Sequence, residues 1–214
     1  MSLKKQMEQG LLYVEYGHES LEDQAYEKEL DVKRKKIKDL MHLYNFHTLP
    51  SDEKKRRQLL EEGLGRAGKN LYLEPPCYFS YGCNTFFGDD VYANFHLVVV
   101  DDVTVSVGDR VMFGPNVTIS PTGHPLAHVY RRKGAQFSLP VTIGNDVWIG
   151  ANCTILPGVT IGDRCVIGAG SVVTHDIPAD HLAYGTPCRV IRRIDEEDLL
   201  TYKKGFPVNS DWNK

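Results

Sequence analysis

The sequence predicts a mainly β fold: a parallel β-helix of six-residue repeats, with an α-helical cap at its amino end and a loop protruding at about 121–140. Three observations predict it. An aliphatic or aromatic residue recurs at every sixth position over much of the span between Pro75 and Pro178. Residues 1–70 carry 14 Lys+Arg and 13 Asp+Glu, whereas 14 of the 19 glycines fall after residue 70. The repeat is interrupted once, and the phase on the two sides of the interruption agrees. The chain therefore divides into a helical cap at 1–70 that belongs to the same unit, a body at 71–190, and a carboxy-terminal segment at 191–214.

The cap comes first. Ser20 to about His47 is free of Gly and Pro, and Ser20 with Asp23 resembles a capping box in which the shorter Asp replaces Glu. Leu30, Ile37, Leu40, Met41 and Tyr44 share one helical face. A second helix is expected to start near Ser51, after Pro50, and to end at Gly63 or Gly65, with Leu59, Leu60 and Leu64 facing the core. The run Lys33-Arg34-Lys35-Lys36 reads as a solvated face from which a single member could reach a ligand. Neither helix is long or apolar enough to stand alone, so both must pack on the body.

In the body, Ile143-Gly144, Ile149-Gly150, Ile155-Leu156, Ile161-Gly162, Ile167-Gly168 and Val173 open successive units, and the fifth position is Val, Cys or Ser. Val107, Phe113 and Ile119 keep the same phase; Tyr81, Phe87, Ala93 and Val99 repeat at six in a phase shifted by two. About fourteen units fit between Pro75 and Pro178. A period this short is a short strand plus a corner, and three of them close one coil of about 18 residues into a triangular prism. The first and fifth positions point inward, Gly, Asn and Asp supply the corners, and the open ends need caps. The helices are assigned to one end and the segment after Pro178 to the other. Between Ile119 and Ile143 the pattern lapses, so residues 121–140 are thrown out of a coil, and long loops on rigid scaffolds tend to carry function.

Composition excludes several classes. Twenty-five Lys+Arg against 28 Asp+Glu give a net charge of -3, unlike a nucleic-acid or membrane-surface binder. The longest aliphatic run, Leu97-Val98-Val99-Val100, is far short of the roughly 20 residues of a membrane span. No apolar signal-peptide core stands near the amino terminus, and a cytoplasmic location is expected. Five cysteines without a Cys-x-x-Cys pair read as small buried thiols rather than zinc ligands or disulfides.

Several strings match beyond the period. Glu74-Pro75-Pro76, Tyr78-Phe79-Ser80-Tyr81-Gly82, Tyr92-Ala93-Asn94-Phe95, Asp101-Asp102, Gly114-Pro115-Asn116-Val117-Thr118 and Thr122-Gly123-His124-Pro125 stand in order. They are followed by Asn145-Asp146-Val147-Trp148-Ile149-Gly150, Gly168-Ala169-Gly170-Ser171-Val172-Val173-Thr174 and Gly185-Thr186-Pro187-Cys188-Arg189-Val190-Ile191-Arg192. From about residue 8 to about 195 the chain resembles the maltose/galactoside O-acetyltransferases, hexapeptide-repeat enzymes with a left-handed β-helix. The hand comes from this resemblance, because ordinary parallel crossovers are right-handed. The resemblance implies acetyl transfer from acetyl-CoA to a sugar hydroxyl, typically the 6-position, by homotrimers with sites between subunits.

Acetyl transfer to an alcohol needs a base and donors at the carbonyl oxygen. Of eight histidines, His124 stands at the root of the interrupting loop and matches the family's catalytic base; His128 is its bland neighbour, and His96 lies within a repeat, packed or at the surface. Direct attack through a ternary complex is implied, with no cysteine nucleophile and no metal. On the acceptor side the matching positions are Glu15, Arg34, Ser80, Asn94 and Asp102. Glu15 replaces an Asp, and Gln136 stands where the galactoside enzymes carry Met. On the acetyl-CoA side they are Trp148, Ala151, Ala169, Thr174, His175, Arg189 and Arg192. Ala151 replaces a Ser, so an oxyanion donor there must be a backbone N–H; His175 replaces a Lys. Three other readings stay open: a different hydroxyl or amine acceptor, such as a xenobiotic or nucleotide sugar, a γ-type carbonic anhydrase on the same prism, and a catalytically silent assembly subunit.

Overall fold

The structure, a computed structural model, describes residues 1–212. Short parallel strands stack into three sheets. The first face holds Arg66–Ala67, Thr85–Phe87, Val105–Val107, Val141–Ile143 and Thr160–Ile161. The second holds Tyr72–Leu73, Tyr92–Ala93, Met112–Phe113, Trp148–Ile149, Val166–Ile167 and His181–Gly185, and is extended antiparallel by Cys188–Arg193. The third holds Tyr78–Phe79, Val98–Val99, Thr118–Ile119, Thr154–Ile155 and Val172–Val173. The chain visits the faces in turn, which makes a solenoid of three-sided coils.

The period dictates the core. Ile143 faces Ile161, Ile149 faces Ile167 and Ile155 faces Val173. These residues are fully buried, as are the fifth-position residues Val147, Cys153, Cys165 and Ser171. Each buried Ile or Val contributes about 1.5–3 kcal/mol of burial free energy. Cys77, Cys153, Cys165 and Cys188 are buried free thiols, and Cys83 is half-buried.

One corner, between the first and second faces, is a regular ladder. The backbone N–H of Asp109 donates to Asn145 Oδ1 at 2.8 Å, and that of Asn145 to Asp163 Oδ1 at 2.7 Å. A Cβ on Gly108 would lie 2.7 Å from the carbonyl of Gly144, so the close approach of coils requires glycine there. The next residues adopt left-handed backbone: Asp90, Arg110, Asp146, Arg164 and Asp180, with φ of 56–65°. Arginine is not among the residues expected at such corners. Arg110 and Arg164 are held by the following coil, in two-bond pairs with Asp146 and Asp180.

Three helices close one end. Leu3–Glu8 (α1) was not legible in the sequence; Leu21–His42 (α2) and Glu53–Gly63 (α3) were. Ser20 caps α2, accepting from the Asp23 N–H at 3.1 Å. The Asp23 carboxylate does not close the capping box but accepts from the Leu3 N–H at 2.7 Å, tying α1 to α2. α2 runs into a π-turn at Leu43–His47, and α3 is capped by Asp52 rather than Ser51. Ile37, Leu40, Met41, Leu59, Leu60 and Leu64 join a core continuous with Leu71, Leu73 and Phe79 of the first coils. At the far end the His181–Gly185 and Cys188–Arg193 hairpin pairs with Val166–Ile167. Among the described residues no helix is long and apolar enough to cross a membrane.

The upstream phase shift now has a geometric cause. Phe79 faces Val99 and Val99 faces Ile119, 20 residues apart, whereas later coils repeat at 18. Phe79, not Tyr81, occupies the interior position. Tyr81 belongs instead to a second buried cluster with Leu3, Met7, Tyr13 and Leu30, between the helices and the prism. The two extra residues of each long coil lie at one corner, between the third and first faces, at Ser80–Asn84 and Val100–Thr104. The excursion from Ser120 to Val141 leaves at the same corner, and so does the shortened step from Val173 to Ile177.

Candidate active site

That irregular corner carries most of the polar candidates. The excursion is pinned at its root by an antiparallel ribbon, Thr122–Gly123 with Phe137–Ser138. His124 follows the ribbon directly and is solvent-exposed. Its Nδ1 lies 2.9 Å from the carbonyl oxygen of Ala135. A carbonyl can only accept, so Nδ1 carries the proton and Nε2 of the neutral ring keeps its lone pair. The imidazole is thus held in the tautomer of a base.

Asp101 and Asp102 are adjacent in sequence and differ in use. Asp101 is fully buried, and its carboxylate accepts from the Tyr81 N–H at 2.8 Å and the Thr85 hydroxyl at 3.0 Å. It holds the two long corners together. Asp102 turns toward Thr122 and the Glu15–Arg34 pair, and burial pushes its carboxyl up to about 6, opposed by the Thr122 hydrogen bond. Arg34 donates to Glu15, Tyr16 and Tyr81, and its guanidinium lies 4.8 Å from the centre of the Tyr81 ring. The Tyr81 hydroxyl also donates to Glu15, and burial raises the Tyr81 phenol far above its ordinary range. Glu15 and Arg34 are therefore joined through Tyr81, and the charges of both act on Asp102. Ser80 stands at the same corner, its N–H donating to the carbonyl of Val99 at 3.0 Å.

Most of the other candidates are not brought to this corner. Asn94, Ala151 and Ala169 lie between the second and third faces, where Asn94 accepts from the Phe95 N–H at 2.7 Å. Trp148 stands on the second face, 51% exposed, in an outward row with Tyr72, Tyr92 and Met112. Thr174 is on the His124 corner, with its hydroxyl 2.8 Å from His175 Nδ1. Arg189 and Arg192 project from the terminal hairpin. Arg192 is engaged in a two-bond pair with Asp198, both bonds 2.6 Å, which holds the Asp198 carboxyl down to about 2. One chain thus presents His124 and most of the candidate acceptor residues on one prism edge, and Asn94, Ala151 and Ala169 on another.

Sequence reading missed Tyr13, Tyr16, Thr122 and Ser138 as members of this polar network, and Tyr81 as its link. The pairing of Tyr13 with Gln136, N to O at 2.9 Å in both directions, stitches the amino-terminal segment to the loop. Gln136 Nε2 is buried without a hydrogen-bond partner. A cleft of about 320 Å³ opens beside Asp102, lined by Lys4, Glu29, Lys33 and Asn84. A larger one, about 800 Å³, lies in the tail among Leu199, Tyr202, Val208 and Trp212 and holds none of the candidate residues. Among the described residues no group of three or more His, Cys, Asp or Glu side chains is placed to hold a metal ion.

Stacked hexapeptide coils, capped by helices and carrying one long loop at a single edge, define a hexapeptide-repeat protein. Residues 140–175 match the bacterial transferase hexapeptide family (six repeats), and residues 6–68 match the maltose acetyltransferase hexapeptide capping motif. The chain is 52% identical over 181 residues to galactoside O-acetyltransferase of Escherichia coli K12, covering 85% of this chain and 89% of that protein. It is 43% identical to galactoside O-acetyltransferase of Lactococcus lactis, over 80% and 83% of the two chains. Among solved structures, a galactoside acetyltransferase in complex with coenzyme A superimposes with a TM-score of 0.90 at 46% identity, over 98% of this chain and 100% of that one. A maltose O-acetyltransferase from Clostridium difficile 630 gives 0.82 at 39% identity, over 92% and 99%. The chain belongs to the maltose/galactoside O-acetyltransferase family.

Proposed function

We propose that the protein transfers an acetyl group from acetyl-CoA to a sugar hydroxyl, the 6-hydroxyl of a hexose or glycoside, with His124 as general base. The observation that carries this reading is the His124 ring held by the Ala135 carbonyl through Nδ1, which leaves Nε2 as the basic nitrogen of the neutral ring. Nε2 takes the proton as the sugar oxygen attacks the thioester carbonyl. The tetrahedral intermediate places negative charge on the carbonyl oxygen, for which the Ala151 N–H is the candidate donor. It collapses with cleavage of the C–S bond, and the imidazolium returns its proton to the leaving thiolate. Acetyl passes directly from sulfur to oxygen, with no covalent enzyme intermediate.

Glu15, Arg34, Ser80, Asn94 and Asp102 bind the acceptor in this reading, and Trp148, Ala151, Ala169, Thr174, His175, Arg189 and Arg192 line the acetyl-CoA path. The spread of these residues over two prism edges supports a site completed by a neighbouring copy, in keeping with a homotrimer. The exposed row Tyr72, Tyr92, Met112 and Trp148 supplies an apolar face for such contact. Coenzyme A in the solved relative and acetyl-CoA in a Vibrio cholerae hexapeptide-repeat acetyltransferase, 32% identical with a TM-score of 0.78 over 92% of this chain and 100% of that one, support the donor. The test is thiol release from acetyl-CoA across a panel of mono- and disaccharides. Saccharide-dependent release is expected with the wild type, and an absence of release with every saccharide overturns the assignment.

A further inference from the structure

We propose that Tyr13 is a positioning residue that fixes His124 and Asp102 relative to one another, through its backbone on one side and its hydroxyl on the other. The inference rests on the reading of His124 as base and Asp102 as acceptor ligand. Tyr13 lies between α1 and α2, is 2% exposed, and belongs to neither the prism nor the loop.

Its backbone acts on His124. Tyr13 N–H donates to the Gln136 carbonyl, and Gln136 N–H donates back, both at 2.9 Å. The neighbouring residue, Ala135, supplies the carbonyl that receives the His124 Nδ1 proton. The acceptor that sets the tautomer of the base is therefore one residue from a two-bond clamp. A shift of that carbonyl would lengthen the bond that holds the ring.

Its hydroxyl acts on Asp102. Tyr13 OH is 2.7 Å from Ser138 Oγ, which is 2.9 Å from Thr122 Oγ1, and the Thr122 side chain is near enough to Asp102 to oppose the effect of burial on its carboxyl. A carboxylate only accepts, so with the Thr122 hydroxyl turned to Asp102 the row runs in one sense, Ser138 donating to Thr122 and Tyr13 to Ser138. Burial keeps the Tyr13 phenol protonated far above its ordinary range, so it remains the terminal donor. Hydrogen bonds aligned in one sense strengthen one another. Ser138 is fully buried and takes part in both arms, since its strand also pins the root from which His124 projects.

The competing explanation is that Tyr13 only fills the cluster with Leu3, Met7, Leu30 and Tyr81. Tyr13→Phe separates the two, because it keeps the ring and removes the donor. The expected result is a fall of about tenfold in kcat/KM for the acceptor, the size of one buried hydrogen bond, with KM for acetyl-CoA unchanged. Ser138→Ala should give the same split, and the double variant should lose less than the product of the two, as members of one network do. Wild-type kcat/KM for the acceptor in Tyr13→Phe, or strictly multiplicative losses in the double variant, overturns the proposal. His124→Ala is the control on the underlying reading: an inactive His124→Ala beside a normal Tyr13→Phe sinks the proposal alone, whereas a fully active His124→Ala sinks the reading beneath it.

Discussion

His124 donates its Nδ1 proton to the backbone carbonyl of Ala135 at 2.9 Å, eleven residues further along the chain and across the mouth of the same loop. Both ends of that bond stand beside an antiparallel ribbon of two-residue strands. The ring is oriented by main chain, without a carboxylate partner at Nδ1, so its orientation depends on loop geometry rather than on a second titrating group.

His124→Ala is expected to lower kcat by about 10²–10⁴-fold, the usual contribution of a positioned general base. Thiol release at saturating acetyl-CoA measures it. Turnover within a few-fold of the wild type would remove His124 from the mechanism.

Asp102→Asn is expected to make the protein more stable and less active at pH 7. Burial raises the folded-state carboxyl from the ordinary 3.8 to about 6. Between those values the folded chain holds a proton that the unfolded chain has released, so stability falls as pH rises through the window and the full cost is present above it. The shift corresponds to a cost on the order of 3 kcal/mol at neutral pH. Thermal melts of both proteins at pH 5 and pH 8 check it: the advantage of Asp102→Asn should grow toward pH 8, and a constant or shrinking difference would contradict the burial argument.

Asp198→Ala is expected to lower KM for acetyl-CoA by a few-fold, and Arg192→Ala to raise it. The two-bond pair with Asp198 occupies the guanidinium that the coenzyme phosphates would use. Exposed ion pairs contribute little to stability, so neither variant should move the melting temperature appreciably. Initial rates against acetyl-CoA concentration decide it, and identical KM values in all three proteins would take Arg192 out of the coenzyme path.

Ile149→Ala should cost about 2–5 kcal/mol, the range for truncating a buried aliphatic side chain. Ile149 is fully buried between Phe113 and Ile167 of the flanking coils. Chemical denaturation reads the loss, and a change under 1 kcal/mol would mean that the coils relax around the gap.

In solution the mass should be that of three 24.1 kDa chains. Light scattering measures it directly, and a stable, active monomer would contradict a site completed by a neighbour.

The prism was legible because its rule is local: Ile143, Ile149 and Ile155 announce the interior at six-residue intervals, and the fifth position must stay small. The Ser20 cap and the buried faces of α2 and α3 were legible for the same reason. Tyr81 was assigned to the repeat because it also falls at six from Phe87; the extra residues of its coil move it out of the interior. α1 was not legible because six residues with one capping contact, from Asp23, are held by tertiary structure rather than by their own propensity. The left-handed backbone at Arg110 and Arg164 depends on carboxylates in the following coil, which no local pattern records. At the candidate site, His124 and Asp102 could be singled out one by one. The links between them could not, because Tyr13 and Ser138 are separated by 125 residues.

The uneven corner has a consequence for how such a protein can change. Coils of 20 and of 18 residues, and a coil carrying the whole excursion, all return their strands to the same partners. Additions and deletions at that edge are absorbed before the next strand begins, so they leave the stacking of Ile, Val and Phe undisturbed. The opposite ladder, with its glycines and its Asn and Asp rungs, has no such slack. Selection can therefore rewrite which molecule is grasped by editing the length of one edge, while the remaining two hold the gauge of the scaffold.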